Sequence, residues 1–494
     1  MQNMIIPEEV SIKDIIEKKS LSPNNFKEIN IKRKSQTKVL NYLDEEIPYF
    51  KGDEPGSVTY VENSKVKFLR NSCINALNTS FLPKKLISLN PNYGFENMVN
   101  NLDVLLCKDA NIGDACLYID NRADLEEITV YSSGIIKPNF KEDKYKYYCL
   151  AFFKDSYFLQ QLDAKTPRGS TIRHAGDRFM DCKIPLLKEN EEWVYPIFEN
   201  LLKNVAYAEV VSFNKLKQSE DIIDTELMTN TIDFKNPNIS KIFKEERVDA
   251  GIYSKSVQEL FKNIELYKHG YSDIDTYGYS LKRGPNLAQR DLGRSLKTEE
   301  YRPNYNLLVY PSDISDNGYL LKSVYLGARN KVWYLENKDI LFSAEGSVGK
   351  TFVICDEEMK FTTNFHGMII HPKERNETDI SKSIFIGLLL NYMRAKGIID
   401  KLSVGGNGGS FAVGYWDTIL IPNFPSSIVD ELSRVYNFDS QLNPFEFNLE
   451  KIKAAGIFQL NNFRILCNDF LKMIIDDIKI DKLQDIDYYK RKHS

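Results

Sequence analysis

The sequence predicts a mixed α+β protein of the α/β class, built as two homologous domains in tandem, each followed by a helix, with the helices pairing. Three observations predict it. Four landmarks recur in the same order at an offset of about half the chain. Within each copy, short strand-like runs separated by polar bends surround one helical segment. After each copy comes an apolar stripe of helical period.

The first landmark is "LLCKDANIGDACLY" (105–118) against "ILFSAEGSVGKTFV" (340–353), with Gly113 and Gly349 separated by 236 positions. Both read as apolar strand, polar bend, small residues, glycine and a second apolar run. The next is "SSGIIKP" (132–138) against "NFHGMIIHP" (364–372), where Gly134 and Gly367 are 233 apart. "TPRGSTIRH" (166–174) matches "GGNGGSFAV" (405–413), with Ser170 and Ser410 240 apart. "CKIPLL" (182–187) matches "ILIPNF" (419–424), with Pro185 and Pro422 237 apart. One such match is easily fortuitous; four in order mark a duplication. Residues 145–162 and 381–402 are the helical segment of each copy.

After the first copy, Val194, Phe198, Leu201, Val205 and Ala208 alternate four- and three-residue steps, a single stripe of coiled-coil type. Pro196 suits a first helical turn, so the regular helix is expected to start near it. After the second copy a helix starts behind Pro425, and residues 436–456 interrupt the helical region. Leu460, Phe463, Cys467, Phe470 and Ile474 then share one face. A stripe of this kind can pack on its own domain, but its recurrence after both copies favours the helices pairing with each other. The predicted divisions are a first domain over 1–188, a central helix over 189–235, a second domain over 236–424 and a distal helical region over 425–494.

A chain of 494 residues, 42% hydrophobic and 27% charged, can bury real cores. No run approaches the ~18–20 apolar residues of a membrane helix, and the N-terminus acquires acidic residues at once, so a soluble cytoplasmic protein is expected. Seven cysteines without a C-x-x-C point to reduced, buried thiols. Five histidines without an H-x-x-x-H or H-E-x-x-H pair argue against a metal enzyme. The net charge of −4 means that any nucleic-acid contact would need local basic patches or a partner's help.

Residues Ala344 to Thr351 fit a relaxed phosphate-loop pattern. That reading requires a helix after the loop, whereas "TFVICDEEMKF" has strand character and no helical period. The duplicate has Asp114 and Ala115 where Lys350 and Thr351 stand, so the copies share the glycine and not the phosphate ligands. "NPNY" (90–93) lacks the second proline of the amino-methyltransferase tetrapeptide. "GGNGG" (405–409) does not open a first βα unit and is no dinucleotide fingerprint. No nucleophile–base or paired-carboxylate arrangement stands out.

With its strand–Gly–strand motifs ("DVLLCKDANIG", "DILFSAEGSVG"), "GS" elements, "IP" closing strands and long helices, the chain resembles the specificity subunit of type I restriction–modification systems over about residues 10–480. The resemblance implies two target recognition domains, each reading half of a split double-stranded DNA sequence, and helices forming an antiparallel coiled coil between them. It also implies a non-catalytic chain that carries no cofactor. Two DNA adenine methyltransferase subunits and restriction/translocase subunits would be its partners, holding S-adenosylmethionine, ATP and magnesium. Val194, Phe198, Leu201, Val205, Leu460, Phe463, Phe470 and Ile474 would be the pairing residues. Arg or Lys reads guanine and Asn or Gln reads adenine, which makes Lys65, Lys67, Arg70, Arg168, Arg173 and His174 the candidates in the first copy. In the second they are Lys282, Arg283, Asn286, Gln289, Arg290, Arg294 and Lys350, most of them in "KRGPNLAQRDLGR". Two other readings remain at this stage: a recognition or scaffold protein of a related defence system, and a nucleotide-binding enzyme using the 344–351 loop.

Overall fold

The computed structural model describes residues 3–18, 21, 23–120, 127–167, 171–227, 236–245, 247–404 and 410–491. The chain divides into two compact units: Met1–Val210 with Asn443–Leu449 and Leu466–Ser494, and Val211–Leu442 with Glu450–Ile465. The divisions therefore fall inside the long helices, not at their ends, because each helix half buries its apolar face among the residues of one unit.

In the first unit eight strands matter: β1 Tyr49–Lys51, β2 Tyr60–Val61, β3 Val66–Leu69, β4 Ile87–Leu89, β5 Val104–Cys107, β6 Ala115–Leu117, β7 Ile128–Tyr131 and β8 Ile135–Pro138. They form two sheets of order β1-β8-β5-β6 and β7-β3-β4-β2. The second unit has β9 Tyr279–Arg283, β10 Ser295–Thr298, β11 Asn306–Leu308, β12 Tyr325–Ala328, β13 Ile340–Ser343, β14 Thr351–Val353, β15 Phe361–Thr362 and β16 Gly367–Pro372. Their orders are β9-β16-β13-β14 and β15-β11-β12-β10. Strand for strand the two orders are the same. The strand directions also agree: β7 runs parallel to β3 and β15 parallel to β11, and the other pairings are antiparallel. A closing strand ending in proline pairs with an early strand in both units, Lys183–Pro185 with Gln36–Lys38 and Ile421–Pro422 with Tyr271–Ser272.

The duplicated hairpins β5–β6 and β13–β14 show why glycine recurs. Gly113 and Gly349 hold φ of +90° and +88°, a region that only glycine enters cheaply. Each donates to the carbonyl at the strand end, Cys107 and Ser343, at 2.9 Å. A Cβ at either position would lie 2.6 Å from Leu159 or 2.7 Å from Ile399, which belong to the helices packed on the bend. Those helices are α1 (Asp143–Phe153) and α2 (Ser156–Lys165) in the first unit. After them comes α3, Glu191–Leu227. In the second unit they are α4 (Ile380–Ala395) and α5 (Ile398–Leu402), followed by α6 (Ser426–Tyr436) and, after the interruption, α7 (Ile457–Lys479).

Two landmark alignments are corrected by the hydrogen bonds. The Ala175 N–H donates to the Lys108 carbonyl, as Phe411 does to Ala344 (2.7 and 2.8 Å). His174 is therefore the counterpart of Ser410, four positions from the alignment on Ser170. Likewise Lys108 receives at its N–H the Gly134 carbonyl and Ala344 the His366 carbonyl (2.9 and 3.3 Å), so Gly134 matches His366 and not Gly367. Indel-bearing loops hid both offsets.

The helix α3 starts a turn before Pro196, which lies inside it. Asn190, at φ +67°, ends the preceding chain, and its carbonyl accepts from Val194 at 3.0 Å. Pro196 forfeits only a bond to Glu192, and both residues are exposed. In the first unit the Cys467 thiol of α7 is pushed up by burial, with Asn204 of α3 pulling the other way. One step along, Asn200 donates to the Phe445 carbonyl (2.9 Å) while the Phe445 ring meets Phe470 (4.7 Å). Residue 204 thus approaches 467 while 200 is linked through Phe445 to 470, an antiparallel order. Val194, Phe198, Leu201, Val205, Leu460, Phe463, Phe470 and Ile474 are all buried. Phe198, however, stacks on Tyr148 of α1 at 5.7 Å, so part of the stripe serves its own unit.

Candidate nucleic-acid interface

The segment between β9 and β10 leads from the edge of one sheet to the edge of the other. Leu292 is buried with Leu308 and Leu326, and the partly buried Leu287 packs against the same cluster. Pinned at those two points, the segment leaves Asn286, Gln289, Arg290 and Arg294 exposed. Arg290 faces Asp291 at 3.5 Å but is 80% exposed, a weak tie. Lys282, on β9, lies over the Trp333 ring at 5.1 Å. Lys360 sits similarly over Tyr334 (5.6 Å) and Lys297 donates to the Tyr310 hydroxyl at 2.5 Å, so this unit sets cations against aromatic side chains.

Arg283 ends β9 and reaches Glu345 at 3.4 Å; Glu345 in turn pairs with His366 Nδ1 at 2.5 Å. The sequence reading missed Glu345 and His366, although both lie inside the duplicated runs 340–353 and 364–372. It also missed Lys51, the counterpart of Arg283. Gly52 and Gly284, the next residues, each lie where a Cβ would strike a backbone carbonyl, 2.1 Å from Tyr131 and 2.0 Å from Asn364. That shared close approach is the signal that could have found it.

In the first unit, the segment matching the basic strap reads "DEPGSVT" and is acidic. Lys65 and Arg70 are exposed at the two ends of β3. Lys67, within the strand, is half-buried against Glu127 at 3.7 Å and Ser88 at 3.2 Å. Arg173 is committed to the end of α2, pairing with Asp163 at 2.7 Å and donating to the Asp163 and Thr166 carbonyls. His174 Nδ1 lies 2.8 Å from Asp109 Oδ1 with its side chain 62% exposed. Arg168 lies outside the described residues, as does the 405–409 glycine run.

Lys350 is not the surface contact expected of it. Its side chain is 10% exposed and faces Asp316 at 3.8 Å, and Arg394 holds the same carboxylate at 2.9 Å. Burial lowers its pKa, and Asp316 pulls it back up. At the matching position Asp114 is raised by burial and lowered by Lys154. The matching positions thus carry opposite charges in the two copies, buried at Lys350 and half-buried at Asp114. Thr351 is buried and donates to the Gly387 carbonyl at 2.9 Å. The loop runs into strand β14, so the helical amides a phosphate cradle needs are not there.

All seven cysteines are free, and six are buried. Among the described residues no group of His, Cys, Asp and Glu could hold a metal ion, and no helix is long and apolar enough to cross a membrane.

No protein-family model and no curated protein matches the chain. Among solved structures it is similar to a type I restriction–modification system S subunit from M. genitalium, at 12% identity over 92% of this chain and 96% of that one, with a TM-score of 0.37. It is also similar to the HsdS subunit from Thermoanaerobacter tengcongensis, at 14% identity over 91% and 97%, with a TM-score of 0.27. A third similar chain comes from a structure addressing complex assembly and conformational transition of the type I R-M system, at 12% identity over 90% and 96%, with a TM-score of 0.27.

Proposed function

We propose that the chain is a DNA sequence-specificity subunit, non-catalytic itself, that reads a bipartite target and directs partner enzymes to it. One observation carries the reading: two units of the same eight-strand topology carry different exposed groups, in strap charge and in basic side chains. A duplicated scaffold with unlike surfaces suits two unlike half-sites. The helices α3 and α7 would set the spacing between those half-sites. DNA adenine methyltransferase subunits, two in number, and restriction/translocase subunits would supply the chemistry with S-adenosylmethionine, ATP and magnesium. They would also supply much of the phosphate neutralisation that a chain of net charge −4 lacks.

Methylome mapping of a host with and without the gene tests this reading. A split adenine-methylated motif that disappears with the gene is expected. Identical methylomes, or loss of an undivided motif only, would refute it.

A further inference from the structure

Both units place a carboxylate, a histidine and a cation at the same end of the four-stranded sheet, and the histidine comes from a different loop in each. The carboxylates Asp109 and Glu345 follow equivalent strands, β5 and β13. In the second unit the histidine is His366, just before β16; its counterpart is Gly134, where a Cβ would lie 2.8 Å from the Asn71 side-chain amide, which would have to move to admit a side chain. In the first unit the histidine is His174, and its counterpart is Ser410. The cation is Lys108 in one case, 3.2 Å from Asp109, and Arg283 in the other, 3.4 Å from Glu345. Local packing alone asks for no histidine at either place, since glycine and serine serve there in the other copy.

We infer that these two couples are base-reading groups, His174 in the first unit and His366 in the second, each presenting Nε2 to a base edge in a DNA groove. The inference rests on the recognition function proposed above. Each ring turns Nδ1 to its carboxylate, so Nε2 is the remaining polar atom of a side chain 62% exposed for His174 and 43% for His366. The hydrogen bond between Nδ1 and Glu345 fixes the direction of the His366 ring, as a carboxylate does for metal-binding histidines, while His174 is held against Asp109 by a 2.8 Å approach without an aligned hydrogen bond. An oriented ring offers one directional donor or acceptor, which discriminates between base edges where a flexible lysine does not. Phe365, 48% exposed and 3.9 Å from the His366 ring, adds an apolar surface beside it, suited to a thymine methyl.

The test is selection of bound duplexes from a random-sequence DNA library by the full chain and by His174→Asn, His174→Gln, His366→Asn and His366→Gln. Asparagine can keep the Nδ1 contact to the carboxylate and removes Nε2; glutamine reaches the Nε2 position. Each asparagine variant is expected to lose about tenfold preference at one or two positions of one half-site, as for a lost base contact. The other half-site stays unchanged, and glutamine retains part of the preference. If the wild-type motif persists in both asparagine variants, the couples are structural and this inference falls while the recognition reading stands. Loss in both halves together with a lowered melting temperature also overturns it. A wild-type chain that selects no motif, alone or with a methyltransferase subunit added, refutes the recognition reading, and this inference with it.

Discussion

Gly113 and Gly349 combine two demands, a left-handed φ and a helix side chain within 2.7 Å of where a Cβ would stand. Gly346 shares only the first, with φ +74° and open space around it. Gly349→Ala and Gly113→Ala should therefore destabilise by about 2–4 kcal/mol, against roughly 1 kcal/mol for Gly346→Ala, measured by urea unfolding. Lys350 carries a different prediction. Its pKa is lowered by burial, so the folded state loses that proton at lower pH than the unfolded chain. Between the lowered value and the ordinary lysine range the unfolded chain binds more protons, and stability rises with pH. Lys350→Met removes that rise. At neutral pH it should be neutral or stabilising by up to about 1 kcal/mol, since Arg394 still holds Asp316. DNA affinity should change less than about twofold, an amount under 1 kcal/mol; a tenfold loss would restore Lys350 as a contact.

Helix α3 is tied into the first unit by Glu209, a buried carboxylate that accepts from the Thr79 and Ser80 N–H groups and the Ser80 hydroxyl at 2.7–2.9 Å. In the second unit α7 does the matching work: Asn461 accepts from the Leu320 N–H at 2.8 Å, and Arg464 donates to the Leu320 carbonyl at 2.5 Å. Glu209→Ala leaves two buried amides without an acceptor and should cost about 2–4 kcal/mol; Asn461→Ala leaves one and should cost about 1–3 kcal/mol. Hydrogen exchange should speed up around residues 76–82 in the first variant and around 315–321 in the second, and uniform acceleration across both units would contradict separate anchoring. These ties were invisible in the sequence, where Glu209 and Asn461 are merely polar positions on long helices. The helices themselves were legible, because stripes of fifteen residues, 194–208 and 460–474, carry a period. The duplication was legible through the glycine bends, whose backbone demand does not drift. The strand order was not, since strands of two to six residues hold too few side chains to show alternation. The carboxylate–histidine couples were hidden for the same reason that the landmark alignment slipped: their partners sit on loops whose lengths differ between the copies.

At the scale of the molecule, charge decides how the chain can meet DNA. A net charge of −4 gives no general attraction, so on the proposed reading the chain's own share of the affinity would come from local cations such as Arg290 and Arg294 on the exposed strap. Each phosphate neutralised contributes about −0.9 to the slope of log K against log salt. Replacing both arginines by alanine should make that slope shallower by about 2, with the selected sequence unchanged, because phosphate contacts position and base contacts specify. The asparagine variants of His174 and His366 should do the converse, altering the sequence and leaving the slope alone. A methyltransferase subunit added to the wild-type chain should steepen the slope, since its own cations join the contact. If the chain alone already shows the full slope of the assembled complex, the division of labour between a reading chain and phosphate-binding partners is wrong.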